Sequence, residues 1–201
     1  MNYVAAVFMI LLMVPLHRGS AQEDFTVTQN TEGTITITGY RGSGKDVVIP
    51  ETINGIPVTV IGPAAFRNLA LSSVILPATV VSIETLAFAH NELTDIELPQ
   101  GLSVIGVSAF EDNKLTRVAV PESVKHLRYR AFHSNPVTAV SLSVKAVVPR
   151  VFSKAALSRI TIGSGTEVYL ENFEPGFINY YSSLARRAGT YTKTDGVWKI
   201  E

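Results

Sequence analysis

Between residues 71 and 136 the apolar positions fall on a grid that repeats. LSSVILPATVVSIETLAFAHNE (71–92), LTDIELPQGLSVIGVSAFEDNK (93–114) and LTRVAVPESVKHLRYRAFHSNP (115–136) align without a gap. In the middle copy Leu93, Ile96 and Leu98 are set among polar Thr94, Asp95 and Glu97. That pattern predicts a short strand with its apolar side chains turned inward. Pro99 closes the strand, because proline cannot donate to a ladder on either side. A second apolar slot follows (Ile61, Ile83, Ile105, Leu127 and Val147 in successive copies), and then an Ala-Phe pair. Phe66, Phe88, Phe110 and Phe132 keep a step of 22 residues, with Phe152 and Phe173 after 20 and 21. An early copy (46–70) carries a five-residue insertion between Pro50 and Phe66, copy 137–156 is two residues shorter, and copy 157–176 is degenerate.

A fixed period in the twenties is the signature of a leucine-rich-repeat solenoid. One unit buries too little alone, and stacked units share one core. The pattern therefore predicts a β-rich, right-handed coil of about six 20–25-residue repeats, with a parallel β-sheet on its concave face. The second slot and the Ala-Phe pair pack from the opposite side, and the phenylalanines form an aromatic spine. Asn91, Asn113 and Asn135 recur two residues before the Leu slot. Asparagine tolerates a left-handed backbone and bonds its own turn, so this column reads as structural. Open solenoid ends expose core and strand edges, and a hairpin cap is expected at each end. Phe25–Thr28 with Thr34–Tyr40 supplies one. The segment 189–200 supplies the other, with Asp195-Gly196 as its turn and Tyr191 and Trp198 over the last coil, helped by Tyr180 and Tyr181. The organisation read from the chain is a signal peptide at 1–21, an N-terminal capping hairpin at 22–45, a solenoid at 46–178 and a C-terminal cap at 179–201.

GYRGSGKD (39–46) resembles a nucleotide-binding P-loop, with Gly39 four residues ahead of Gly44-Lys45. The pattern fails in two respects. Asp46 replaces the Mg²⁺-binding hydroxyl, and Val47, Val48, Ile49 and Pro50 follow where a helix must open. The segment reads instead as a turn joining the N-terminal cap to the first coil, its glycines supplying positive φ. The 17 basic and 17 acidic residues leave no net charge, so no electrostatic case exists for nucleic acid. The apolar stretch Tyr3–Leu16, 14 residues long, falls short of the roughly 20 needed to span a membrane. Gly19 and Ala21 suit cleavage after Ala21, which indicates a secretory signal peptide, an exported chain and a periplasmic or cell-surface location. No Lys or Arg precedes the apolar run, and an uncleaved anchor is the alternative reading. With no cysteine, the exported fold must hold without disulfides. No catalytic residue set, metal-ligand column or cofactor motif emerges. His90 and His133 read as solvated shoulders beside the Phe slot, His126 lies away from the strand face, and no HExxH or GxSxG is present.

The candidate site is the outward side of the strand face. Between the inward residues stand Val48, Ile75, Glu97, Ala119, Ser141 and Thr161, and the preceding slot adds Asp95, Arg117 and Arg159. An apolar patch bordered by both charges suits a protein partner. The plainer alternative is that Asp95 and Arg117 merely pair across neighbouring strands. The unit LTxIxLPxxLxxIxxxAFxxNx resembles the BspA-like leucine-rich-repeat family of bacterial surface and secreted proteins. PETINGIPVTVIGPAAF (50–66) resembles the family's first repeat, and ARRAGTYTKTDGVW (185–198) resembles the C-terminal segment of its spirochaete members. The resemblance implies a non-enzymatic protein-binding module without a cofactor, adhering to host matrix proteins or to other bacteria. The alternative is an envelope structural protein that acts by self-association, motivated by Val48, Ile75 and the end coils.

Overall fold

The computed structural model describes residues 22–143, 146–147, 150–152, 157–164, 166–168, 173, 175–184 and 186–201. The signal peptide expected at 1–21 lies outside them, as does the side chain of Tyr180. The architecture is a β-solenoid of about five turns with little helix. Phe66, Phe88, Phe110, Phe132 and Phe152 mark its successive coils.

Each coil has three sides. The front side carries the expected strands Asp46–Val48, Ser73–Ile75, Arg117–Val120, Ala139–Leu142 and Arg159–Ile162. The back side carries a second parallel ladder that the sequence reading did not assign as strand. Ile56–Ile61, Ser82–Ile83, Val104–Ile105 and His126–Leu127 pair in register there, placing Ile61, Ile83, Ile105 and Leu127 in one buried row. Pro77, Pro99 and Pro121 form the corner between front and back, where each carbonyl accepts the amide three residues on (3.0–3.2 Å). The third side consists of tight turns around the phenylalanines.

Those turns depend on left-handed backbone. Ala64, Leu86, Ser108, Arg130 and Arg150 form one column at φ 53–60°, and Asn68, His90, Asp112 and Ser134 form a second at 55–59°. The Asn column therefore does a different job from the one expected, since the residue before each Asn takes the positive φ. Asn113 is buried and bridges coils: its Oδ1 accepts the Leu93 amide at 3.1 Å, and its Nδ2 donates to the Phe88 and Phe110 carbonyls at 2.9 and 3.2 Å. Asn91 and Asn135 repeat the arrangement one coil before and one coil after. Between these bridges the phenylalanine rings stack face to face, with centroids 5.0, 5.3, 5.2 and 5.8 Å apart.

The two caps extend different sheets. Phe25–Gln29 and Ile35–Tyr40 form the expected hairpin, and it adds to the back ladder through Ile35–Tyr40. Gly189–Thr194 and Val197–Ile200 form the other, adding antiparallel to the front strand Arg159–Ile162. A helix at Pro175–Ser183, not anticipated from sequence, places Phe177 against Tyr191 and Trp198 (5.4 and 4.9 Å). The Asn54-Gly55 turn (φ 53° and 77°) folds the insertion into a small hairpin in the first repeat. GYRGSGKD joins the back strand Ile35–Tyr40 to the front strand Asp46–Val48, so it is a crossing between sheets and no helix follows it. Gly39, Gly42 and Gly44 are not at positive φ, contrary to expectation. Gly42 is required by close approach instead. A Cβ there would collide with the Tyr40 ring, which is itself wedged against Phe25 and Phe66.

Replacing Asn113 by Ala strands the buried Leu93 amide, at about 1–3 kcal/mol, and removes one of the two asparagine donors from each of the Phe88 and Phe110 carbonyls, which keep Asn91 and Asn135. Urea denaturation is expected to show a loss of about 1–3 kcal/mol. Glu92→Ala, which removes only the exposed Glu92–Lys114 pair, is expected to cost under about 1 kcal/mol.

Candidate functional site

The front strands expose one side chain in two because Val47, Val74, Ile96, Val118, Val140 and Ile160 are buried between them. Asp95, Glu97, Arg117, Ala119 and Arg159 are exposed, and Val48, Ser141 and Thr161 are half-buried. Among the described residues Ile75, at 54% exposure, is the only isoleucine in the set of exposed large apolar residues. Most of these positions meet in space. A hollow of about 300 Å³ crosses four coils and gathers Asp95, Arg117, Ala119, Ser141, Arg159 and Thr161. A second, of about 640 Å³, lies beside it between Asp95–Leu98 and Ala119–Glu122, with Ser141 and Ser143 beyond. A third, of about 410 Å³, separates Val74–Leu76 from Glu97–Gly101. Val48 stands apart from these hollows, next to Ile75 in strand register.

The charges on this face are loosely held. Arg117 Nη2 lies 3.9 Å from Asp95 Oδ2, and both side chains are more than 70% exposed. An exposed pair of that kind contributes little and leaves both groups available. Arg159 is held more firmly, donating to Glu201 Oε2 at 2.8 Å. Thr161 shares a hydroxyl hydrogen bond of 3.1 Å with Thr190. The C-terminal hairpin thus continues the face. Tyr191 points inward, so Thr190 and Thr192 fall on the front beside Thr161 and Arg159. Sequence reasoning treated this hairpin only as a lid, although the alternation in GTYTKT carried the signal. It also passed over Gln100 and Glu122, which line the larger hollow from beyond the strand ends.

The front strands do not form one sheet. Asp46–Val48 pairs with Ser73–Ile75, and Arg117–Val120, Ala139–Leu142 and Arg159–Ile162 pair with one another. Between the two groups, Thr94–Leu98 is not a ladder strand, contrary to the expectation for LTDIELP. No backbone hydrogen bond joins it to a neighbouring coil, and the Ile96 amide donates to its own neighbour, Asp95 Oδ1, at 2.9 Å.

The histidines are less free than the sequence reading held. His90 Nδ1 lies 2.9 Å from Asp112 Oδ2. His133 sits in a cluster on the turn side, with Nδ1 3.3 Å from Arg130 Nη2 and 2.9 Å from Ser134 Oγ. Arg130 in turn donates to Glu111 at 2.7 Å. Burial, and then the Arg130 charge, push the His133 pKa below its usual value, with Glu111 opposing and Arg150 adding to the drop. Its neutral ring accepts at Nδ1, and the arrangement is a structural corner. Among the described residues no group of three His, Asp or Glu side chains could hold a metal ion.

A stacked coil with parallel strands, an asparagine bridge and a phenylalanine spine defines a leucine-rich-repeat solenoid. The chain belongs to the BspA type leucine-rich-repeat family, whose model matches six copies across residues 59–174. A Treponema pallidum leucine-rich-repeat protein is similar in fold, with a TM-score of 0.63 at 21% identity over 83% of this chain and 96% of that one. A Bacteroides capillosus leucine-rich-repeat protein matches with a TM-score of 0.51 at 29% identity over 58% of this chain and 92% of that one. The pneumococcal vaccine antigen PcpA matches with a TM-score of 0.59 at 18% identity over 80% of this chain, which spans 45% of PcpA. No curated protein matches the chain in sequence.

The lowered His133 pKa makes stability pH-dependent in a definite direction. Unfolding returns the ring to its ordinary value of 6.5, so the unfolded chain binds more protons just below that pH. Its contribution is complete above the unfolded value and is lost as pH falls through the folded one. His133→Gln is expected to reduce the drop in melting temperature between about pH 7.5 and about pH 5.5. An undiminished drop would assign the acid sensitivity to other groups.

Proposed function

We propose that the chain is an exported, non-enzymatic recognition module that binds a protein partner through its front face. The observation that carries this reading is the hollow across four coils, where acidic, basic and small side chains converge on a backbone fixed from behind. Rigid backbone with variable outward side chains is what a solenoid offers a macromolecular partner. The family's bacterial surface and secreted membership supports an exported location, and PcpA is itself described as a vaccine antigen. Host extracellular matrix proteins are the first partners to test, and adhesion is the role that binding them would give.

The test uses residues 22–201 as the soluble protein and immobilised matrix proteins as candidate partners. Reversing Arg117 and Arg159 to Glu and Asp95 to Lys is expected to weaken binding to a bound partner at least about tenfold, or ~1.4 kcal/mol. Binding that survives all three reversals would exclude this face. Protease treatment of intact cells is expected to degrade the protein, and protection until permeabilisation would make the partner a periplasmic one.

One observation favours a second reading, self-association. Ile75 is exposed beside half-buried Val48, and among the described residues no strand pairs with the outer edge of Asp46–Val48. If that edge pairs between copies, light scattering will show a dimer that Ile75→Lys dissolves. A monomer at high concentration would remove this reading.

A further inference from the structure

We propose that the opening in the front sheet at Thr94–Leu98 receives an extended, lysine- or arginine-bearing segment of the protein partner. The inference rests on the front-face reading and specifies what that face takes. It begins from an asymmetry within one coil. The coil 93–114 is bonded to its neighbours on its other sides: Ser103 and Gly106 donate to Val81 and Ile83 at 2.8 and 2.7 Å, and the Phe88 and Phe110 amides donate to Ala109 and Ala131 at 2.8 Å. Only at the front does its ladder stop. The opening is therefore a local feature of a firmly held coil.

The segment is nevertheless built as a strand. Ile96 and Leu98 are buried while Asp95 and Glu97 are exposed, the alternation of an extended chain. A strand whose backbone lacks strand partners is a template for another chain, and the hydrogen bonds of such an added segment give affinity without regard to its side chains. Space for it lies on both sides. The larger hollow, about 640 Å³, falls in the range of ligand-holding clefts, and small Ala119 and Ser141 keep its floor low.

Charge selects the occupant. Asp95, Glu97 and Glu122 line that hollow, and among its described lining residues there is no Lys or Arg. Arg117 borders the adjoining hollow and is held loosely to Asp95. A ligand cation beside Glu97 and Glu122 would meet carboxylates with no basic side chain among the described residues lining the same hollow. Complementarity of that kind selects a basic segment and rejects an acidic one. An apolar residue next to the cation would meet Ile75, Leu76 and Leu98 in the third hollow.

The test uses residues 22–201 and a fluorescein-labelled peptide, Ser-Lys-Val-Lys-Val-Lys-Ser, with Ser-Glu-Val-Glu-Val-Glu-Ser as its counterpart. Fluorescence anisotropy is expected to show binding of the lysine peptide and at least about tenfold weaker binding of the glutamate peptide. Hydrogen exchange should slow at the Glu97 amide or at the Leu98 amide, according to the edge the peptide takes, because neighbouring amides of a strand face opposite edges. N-methylation of the peptide's two valines should abolish that protection. Glu97→Lys with Glu122→Lys should remove binding, whereas Glu32→Lys, in the exposed turn of the N-terminal hairpin, should leave it unchanged. No binding, equal binding of both peptides, or protection elsewhere would overturn the inference. A whole partner released by Arg117→Glu with Arg159→Glu but retained by Glu97→Lys with Glu122→Lys would overturn it and leave the front face standing. A partner retained by both pairs would remove the face itself.

Discussion

The interaction on which this fold depends is the buried asparagine amide that ties one coil to the next. Each Asn side chain answers backbone groups of two coils at once, accepting from the Leu that opens its own coil and donating to the phenylalanine carbonyls of its own coil and of the coil before. Those groups lie in the core, where an unanswered donor or acceptor costs about 1–3 kcal/mol. The bridge works only when coils keep the same length, so it enforces the 22-residue step. The phenylalanine stack follows from it, because equal coils place the rings at equal heights. The left-handed residues on the same side oppose this order, at roughly 1–2 kcal/mol each for a side chain larger than glycine. Ladder bonds from Ala64, Leu86 and Ser108 to the next coil offset that strain.

A chain without cysteine must close both ends of such a stack by packing alone, and it uses a different sheet at each end. The N-terminal hairpin continues the back ladder and sets Phe25 and Tyr40 on Phe66, at 6.3 and 5.7 Å. The C-terminal hairpin continues the front ladder and buries Tyr191 and Trp198 against Phe177. Among the described residues the front strands are thus left without a partner at the outer edge of Asp46–Val48. That edge is three residues long, begins with an aspartate and is followed closely by Pro50, features that discourage long-range pairing.

The period was legible because it is written in large apolar residues that must be buried, and so were the caps, with their aromatic and Asp-Gly signals. The back ladder was hidden, since each coil gives it as few as two residues, too short for an alternation to register. The left-handed columns were hidden for another reason. Ala64, Leu86, Ser108 and Arg130 hold positions where glycine would have announced the geometry. Conversely, the glycines of GYRGSGKD suggested positive φ where none occurs. The outward residues of the front face could be named from the repeat, but the interruption among them could not. LTDIELP carries the same strand pattern as the copies that do pair, and pairing depends on where the neighbouring coils lie.

The placement of that interruption bears on how such a protein acquires a function. The back and turn sides of the middle coils carry ladder bonds, asparagine bridges and stacked rings, so a substitution there disturbs the spacing of the whole stack. The front carries the fewest obligations. Its outward side chains touch one another weakly, as in the 3.9 Å approach of Arg117 to Asp95, and at one coil even its backbone is released. Side chains on that face can change without cost to the frame, and a released backbone set in a rigid frame needs little reordering to take up a partner. On the proposed reading, stability and recognition fall to different sides of the same 22-residue unit.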